Sequence, residues 1–298
     1  MPFMRAHGDP KTLNREPWLQ TPRVQQAIRN AVYFRYQLIH YLYTLFHISR
    51  HDGLPIIRPM WYEFPEASDL FTNDKQFMFG HAILNAPKIN APSDEEIWTD
   101  FTHDVEIELP SESIWYSFNS KLQIPEEYYD APKTLAVGDQ ETATFIRGGN
   151  ILPMLKIYGQ ETALLNAIKN PLVLDIYSDE NGYAIGILYL DDGMSMEYDT
   201  QNAQTLVHFF MHNITDVSVM KIDSDDNHYA PSCGKTIAEV NIYGVENQPT
   251  NVVDVWFNRN ANFIYNKSAK SVHVKDLYLP TDCGFHQGEE HNLLQLIY

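Results

Sequence analysis

Apolar residues at positions 24, 27, 28, 31, 34, 38, 42 and 45 (Val24, Ala27, Ile28, Ala31, Phe34, Leu38, Leu42 and Leu45) recur mostly at three- and four-residue spacing, which predicts one long, half-buried helix over residues 22–50. Thr21 followed by Pro22 is a start signal, a capping hydroxyl ahead of a first-turn proline whose missing N–H costs nothing there. Gly53 supplies the stop. The run Leu54-Pro55-Ile56-Ile57-Arg58-Pro59-Met60-Trp61 is short, apolar and flanked by prolines, which predicts a strand. Beyond residue 80 the period changes from helical to alternating: Val105-Glu106-Ile107-Glu108-Leu109 and Ile114-Trp115-Tyr116-Ser117-Phe118 predict antiparallel β structure, with turn residues every eight to twelve positions. After a polar break near 157–170, strands are expected at 172–177 and 184–190, joined by a turn over 178–182 and followed by the hairpin turn Asp191-Asp192-Gly193. Further apolar-rich strands are expected at 217–220, 238–242, 252–257 and 272–277.

Several short stretches carry a resemblance. They are Pro2-Phe3-Met4-Arg5-Ala6-His7 with Thr12 and Arg15-Glu16-Pro17-Trp18; residues 53–65; Gln76-Phe77-Met78-Phe79-Gly80 with Asn85-Ala86-Pro87; Phe145-Ile146-Arg147-Gly148-Gly149 with Ile151-Leu152-Pro153; and residues 188–198. In this order they resemble the C-terminal part of the α-glucosidases of glycoside hydrolase family 31, above all the members that trim N-glycans in the endoplasmic reticulum. The resemblance implies an α/β plus all-β fold: the last part of a (β/α)8 TIM barrel over residues 1–80, a proximal antiparallel β-sandwich over 81–165 and a distal one over 166–298. It also implies that His7, on a loop following a barrel strand, contacts the sugar, and that Arg5 braces that loop. The expected activity is release of terminal α-linked glucose with retention, which needs two carboxyl groups about 5 Å apart. In the family those carboxylates lie upstream of the His7 motif, so this chain is expected to lack both and to be inactive alone. The implied partners are an α-glucoside or glucosylated N-glycan and a non-catalytic second subunit, in the lumen of the endoplasmic reticulum. Relatives carry His where this chain has Asp9, a departure that touches the fine geometry of the pocket.

Composition and charge narrow the alternatives. The 21 Lys and Arg against 39 Asp and Glu give a formal charge of −18, which opposes nucleic acid and anionic membrane surfaces, because such partners are held by clustered cations. A neutral, hydroxyl-rich ligand is compatible with it. No basic leader followed by an apolar stretch is expected at the N-terminus, and no apolar run is long enough for a transmembrane helix. Cys233 and Cys283 allow one disulfide at most. Asn213-Ile214-Thr215 and Asn266-Lys267-Ser268 match the glycan acceptor pattern, making Asn213 and Asn266 glycosylation candidates.

No cofactor and no metal are expected. There is no P-loop, GxSxG elbow or dinucleotide fingerprint. His47 and His51 have the spacing of two zinc ligands without the accompanying Glu, and Asp179-Glu180-Asn181-Gly182 lacks the first and twelfth ligands of a calcium loop. Asp191-Asp192 is read as a turn rather than a catalytic pair, and Asp9 as a bystander. A reading from a different class, a non-catalytic carbohydrate-binding or scaffold protein, expects exposed coplanar rings, with Trp98, Trp115, Tyr128 and Tyr129 as candidates. A third, an enzyme assembled with a separate chain bearing further barrel strands, expects exposed apolar faces on the 22–50 helix.

Overall fold

The computed structural model describes residues 4–5, 7–9, 11, 15–89, 102–159, 164–214, 217–229, 231, 234–281 and 290–298. Thr21 caps helix α1 (Pro22–Gln37), its Oγ1 accepting from the Val24 N–H at 3.4 Å, so one of the first-turn donors is satisfied. Helix α2 (Ile39–Asp52) ends at Gly53, which takes the left-handed conformation (φ 72°) and donates its N–H to Ser49 O at 2.9 Å. The single predicted helix is thus two, divided at Leu38 (φ −84°, ψ 5°). Neither proline nor glycine stands at the joint, and Leu38 N–H still reaches Phe34 O at 3.1 Å. The apolar stripe runs through it: Phe34, Leu38, Tyr41 and Leu45 all enter one core cluster with Phe79, Ile83, Tyr116, Tyr177 and Tyr243.

The predicted strand at 54–61 is extended only over β1 (Ile57–Pro59), after which α3 (Met60–Glu63) makes one helical turn. A proline excludes helix before it, whereas its own φ suits a helix that follows; Pro59, at φ −65° and ψ 157°, is the residue from which α3 starts.

The next strands are β2 (Phe77–Phe79), β3 (Ile83–Ala86), β4 (Thr102–Ile107), β5 (Trp115–Ser117), β6 (Lys133–Gly138) and β7 (Ala143–Arg147). They form a five-stranded antiparallel sheet in the order β1-β2-β3-β7-β5 and a separate β4-β6 pair. Their core is centred on Trp115, which is fully buried with Phe64, Met60, Leu84 and Phe145. The Gly148-Gly149 turn hands the chain to a larger sheet. It comprises β8 (Asn150–Leu155), β9 (Leu172–Tyr177), β10 (Ala184–Leu190), β11 (Thr205–Ile214), β12 (Val217–Asn227) and β13 (Thr236–Tyr243), then β14 (Asn251–Asp254), β15 (Arg259–Asn260), β16 (Asn262–Asn266), β17 (Ser271–Lys275), β18 (Leu279–Pro280) and β19 (His291–Ile297). Its order is β15-β14-β19-β12-β11-β10-β8-β9-β13-β17-β16, with β18 on β13. Neighbours run antiparallel except at β8/β10 and β9/β13, where they are parallel. Strands from both ends of that order bury residues in one cluster, for example Val252, Leu294 and Phe209 with Leu174, Val240 and Val272. One continuous sheet therefore folds over to enclose its own core, as in a sandwich.

Helix α2 is fastened to this sheet. Tyr189 N–H donates to Thr44 Oγ1 at 3.0 Å, Thr44 Oγ1 donates to His40 O at 2.9 Å, and Tyr43 Oη donates to Asp191 Oδ1 at 2.7 Å. His40 itself is 7 % exposed, and burial, reinforced by the charge of Lys235, lowers its pKa from 6.5 to about 3. The folded protein therefore keeps His40 neutral where the unfolded chain takes up a proton. The stability contributed by the neutral form is complete above pH 6.5 and drains away as the pH falls toward about 3, at a limiting slope of about 1.4 kcal/mol per pH unit for one proton. Urea unfolding of the protein and of His40→Leu at pH 7, 6 and 5 is expected to show a shallower acid loss in the variant. Equal slopes in the two proteins would count against this role.

Candidate functional site

The candidate loop precedes α1. Arg5, His7 and Arg15 are all exposed. Arg15 Nη1 donates to His7 O at 2.7 Å, and Arg5 Nη2 lies 3.3 Å from His7 Nδ1. A guanidinium has donors and no acceptor, so this contact is a hydrogen bond when Nδ1 accepts, an arrangement that leaves Nε2 as the donor of the neutral ring. The loop thus offers an Nε2–H donor suited to a hydroxyl oxygen. The contact to the loop's backbone carbonyl is made by Arg15, whereas Arg5 lies against the His7 ring. The sequence resemblance assigns the bracing to Arg5 and passes over Arg15, which lies in the same motif as Trp18 and carries the same planar fork. Asp9 Oδ1 accepts from Lys11 N–H at 2.9 Å, a local turn contact. Trp18 and Leu19, in a short 3-10 turn over Pro17–Leu19, are 73 % and 55 % exposed.

The acidic pair Asp191-Asp192 is committed to structure. Asp191 accepts from Tyr43 Oη, Tyr189 Oη (2.8 Å) and Gly193 N–H (2.7 Å). Asp192 Oδ1 accepts from the N–H groups of Met194 and Ser195 at 3.0 and 2.9 Å, bonds that hold its carboxyl below the usual range. Asp179 Oδ1 likewise takes the N–H groups of Asn181 and Tyr183, both at 2.8 Å. His47 stacks on Tyr189 with ring centroids 3.9 Å apart and touches His51 at 4.6 Å. Among the described residues no group of three or more His, Cys, Asp or Glu is arranged to hold a metal, and no helix is long and apolar enough to cross a membrane.

The rings expected to form an exposed platform do not do so where they are described. Trp115 is fully buried, its Nε1 donating to Pro110 O at 2.9 Å. Tyr129 Oη accepts from Trp115 N–H and donates to Ile124 O, and Tyr128 packs half-buried on the same cluster. Trp98, Cys233 and Cys283 lie outside the described residues.

Two family profiles match the sequence: the glycosyl hydrolases family 31 TIM-barrel domain over residues 1–45 and the glycosyl hydrolase family 31 C-terminal domain over residues 53–152. The chain belongs to glycoside hydrolase family 31. It is 34 % identical over 220 residues to neutral alpha-glucosidase AB of Mus musculus, covering 73 % of this chain and 22 % of that protein. It is 32 % identical over 285 residues to lysosomal alpha-glucosidase of Rattus norvegicus, covering 92 % and 28 %. The chain thus spans about a quarter of the length of these curated relatives. Among solved structures it superposes on the endoplasmic-reticulum glucosidase II heterodimeric complex of catalytic subunit and binding domain of the regulatory subunit, with a TM-score of 0.79, 20 % identity, and coverage of 100 % of this chain and 31 % of that one. That likeness shows the fold: a C-terminal piece of a (β/α)8 barrel followed by β-sandwich structure.

Proposed function

We propose that this family 31 chain is the C-terminal portion of a retaining α-glucosidase acting on terminal α-linked glucose. Its residues 1–80 would form the end of the barrel, 81–165 the proximal and 166–298 the distal sandwich. The observation that carries this reading is the succession of a barrel profile and a C-terminal profile along one chain, with the Arg5–His7 loop at its head. In this reading His7 donates Nε2–H to a sugar hydroxyl, Arg5 holds the ring in that tautomer, and the nucleophile and acid/base carboxyl groups come from residues outside this sequence. Support for a neighbouring barrel surface comes from α1, where Phe34 alone is buried while Val24 and Tyr33 are 38 % and 41 % exposed, and from Phe46 of α2 at 55 %. Similarity to the glucosidase II complex supports a finer reading: a glucosylated N-glycan as substrate, a non-catalytic second subunit as partner, and the endoplasmic-reticulum lumen as location.

The test is hydrolysis of an aryl α-glucoside, with the anomer of released glucose followed by NMR. The chain alone is expected to show no turnover. The chain extended by its own upstream coding sequence is expected to release α-glucose first. Release of the β anomer, or turnover by the chain alone, would overturn the assignment. In the extended protein His7→Ala is expected to lower kcat/KM roughly two- to tenfold, the worth of one hydrogen bond to a neutral partner at about 0.5–1.5 kcal/mol.

A further inference from the structure

The two candidate asparagines are both exposed but differently engaged, and Thr215 lies outside the described residues. Asn266 ends β16, the terminal strand of the large sheet, and Asn266, Lys267 and Ser268 are all exposed. Asn266 Oδ1 accepts three hydrogen bonds, from Ser268 Oγ at 2.7 Å, Ser268 N–H at 3.1 Å and Ala269 N–H at 3.2 Å. These donors gather on one side of a planar amide and leave Nδ2 on the other. They also draw charge onto the oxygen, which makes the Nδ2 protons easier to remove.

Asn213, at the end of β11, has its amide nitrogen engaged. Nδ2 donates to Asn181 O at 3.4 Å, Oδ1 accepts from Ser218 Oγ, and a Cβ placed on Gly182 (φ 76°) would overlap Nδ2. The amide is wedged against the 178–183 turn, in the wall of a cleft of about 520 Å³ that Asp179, Glu180 and Glu246 also line. One of the two Nδ2 protons is thus taken by Asn181 O, and the amide sits against the Gly182 backbone although the residue itself is exposed.

We propose that Asn266 is the site of an N-linked oligosaccharide and that Asn213 remains unmodified in the folded protein. In the transfer, Asn266 Nδ2 attacks C1 of an oligosaccharide activated as a lipid diphosphate ester. The Nδ2–C1 bond forms, the C1–O bond breaks, one Nδ2 proton passes to a base of the transferase, and the lipid diphosphate leaves with the electron pair. Modification in the cell rests on the luminal location proposed above; the geometry of the acceptor turn does not.

The experiment separates the two. The full chain is translated behind a cleavable secretory leader in the presence of microsomes, and the soluble, translocated product is treated with peptide N-glycosidase in heavy-oxygen water before peptide mass spectrometry. The expected result is labelled Asp at position 266, complete loss of the gel mobility shift in both Asn266→Gln and Ser268→Ala, and an unchanged shift in Asn213→Gln. Carbohydrate on Asn213 of the soluble product, or translocated chain without carbohydrate on Asn266, overturns the proposal. Because the leader delivers the chain whatever its native compartment, neither result bears on the location, which fractionation of the protein's own cells tests independently.

Discussion

Arg58→Ala is expected to destabilise the protein by about 3–5 kcal/mol, the cost of leaving one member of a buried ion pair without its partner. Arg58 is 5 % exposed and the Glu63 side chain 11 %, so water offers little compensation at either end. The guanidinium makes three contacts at once: Nε donates to Pro55 O at 2.6 Å, Nη1 donates to Glu63 Oε1, and the group lies 5.6 Å from the Tyr62 ring centroid. Without Arg58, the ion-pair partner left to Glu63 among the described residues is the more distant Arg147, whose Nη1 is 3.8 Å from Oε2. Arg58→Lys keeps the charge but not the fork, and is expected to fall between wild type and Arg58→Ala. Combining Arg58→Ala with Glu63→Ala is expected to cost less than the sum of the single changes, because the second removes the stranded charge. Urea midpoints at constant slope measure wild type and the four variants, Glu63→Ala included. A loss below about 1 kcal/mol for Arg58→Ala would put this pair with solvent-screened surface bridges and sink the argument.

The second large effect is expected at Gly80, where alanine meets two separate penalties. Its φ is 61°, and a Cβ there would stand 2.9 Å from Leu45 Cδ2 and closer still to Tyr41 Oη. Tyr41 cannot swing away cheaply, since it is 5 % exposed and its hydroxyl donates to Phe79 O at 3.0 Å. Gly53 supplies the control: φ is 72°, but nothing lies within 4 Å of the added Cβ. Gly53→Ala should therefore cost only the left-handed strain of about 1–2 kcal/mol. Gly80→Ala adds overpacking of about 1–3 kcal/mol to that strain. Thermal or urea unfolding of the two variants isolates the steric part by difference, and equal losses would show that α2 yields to the methyl.

That contrast shows where sequence reading stopped. Gly53 announces itself as a helix stop, and the structure uses it as one. Gly80 lies in a recognisable motif, yet its physical reason is contact with Tyr41 and Leu45, nearly forty residues earlier in the chain, and no local pattern encodes that. The candidate loop was legible in the same partial way. His7 was visible from its motif, whereas the division of labour, Arg15 on the carbonyl and Arg5 on the ring, depends on a loop closing over eight residues.

Local chemistry was enough for whatever rests on neighbours in the chain. It placed the cap at Thr21, the stop at Gly53 and the change from helical to alternating period after residue 80, because caps, turns and amphipathic stripes are set by residues a few positions apart. Burial against distant elements settled the remainder. In β1 the alternation is inverted: Ile57 is 50 % exposed while Arg58 is buried, because Glu63 and Pro55 neutralise and bind the guanidinium on the inner side. Asp191 became the anchor of α2 through Tyr43, and Trp115 became the centre of a core rather than a sugar platform. Which face of a strand is inside, and whether a carboxylate is free or spent, are properties of the partner across the fold, and that partner is named only when the chain has closed on itself.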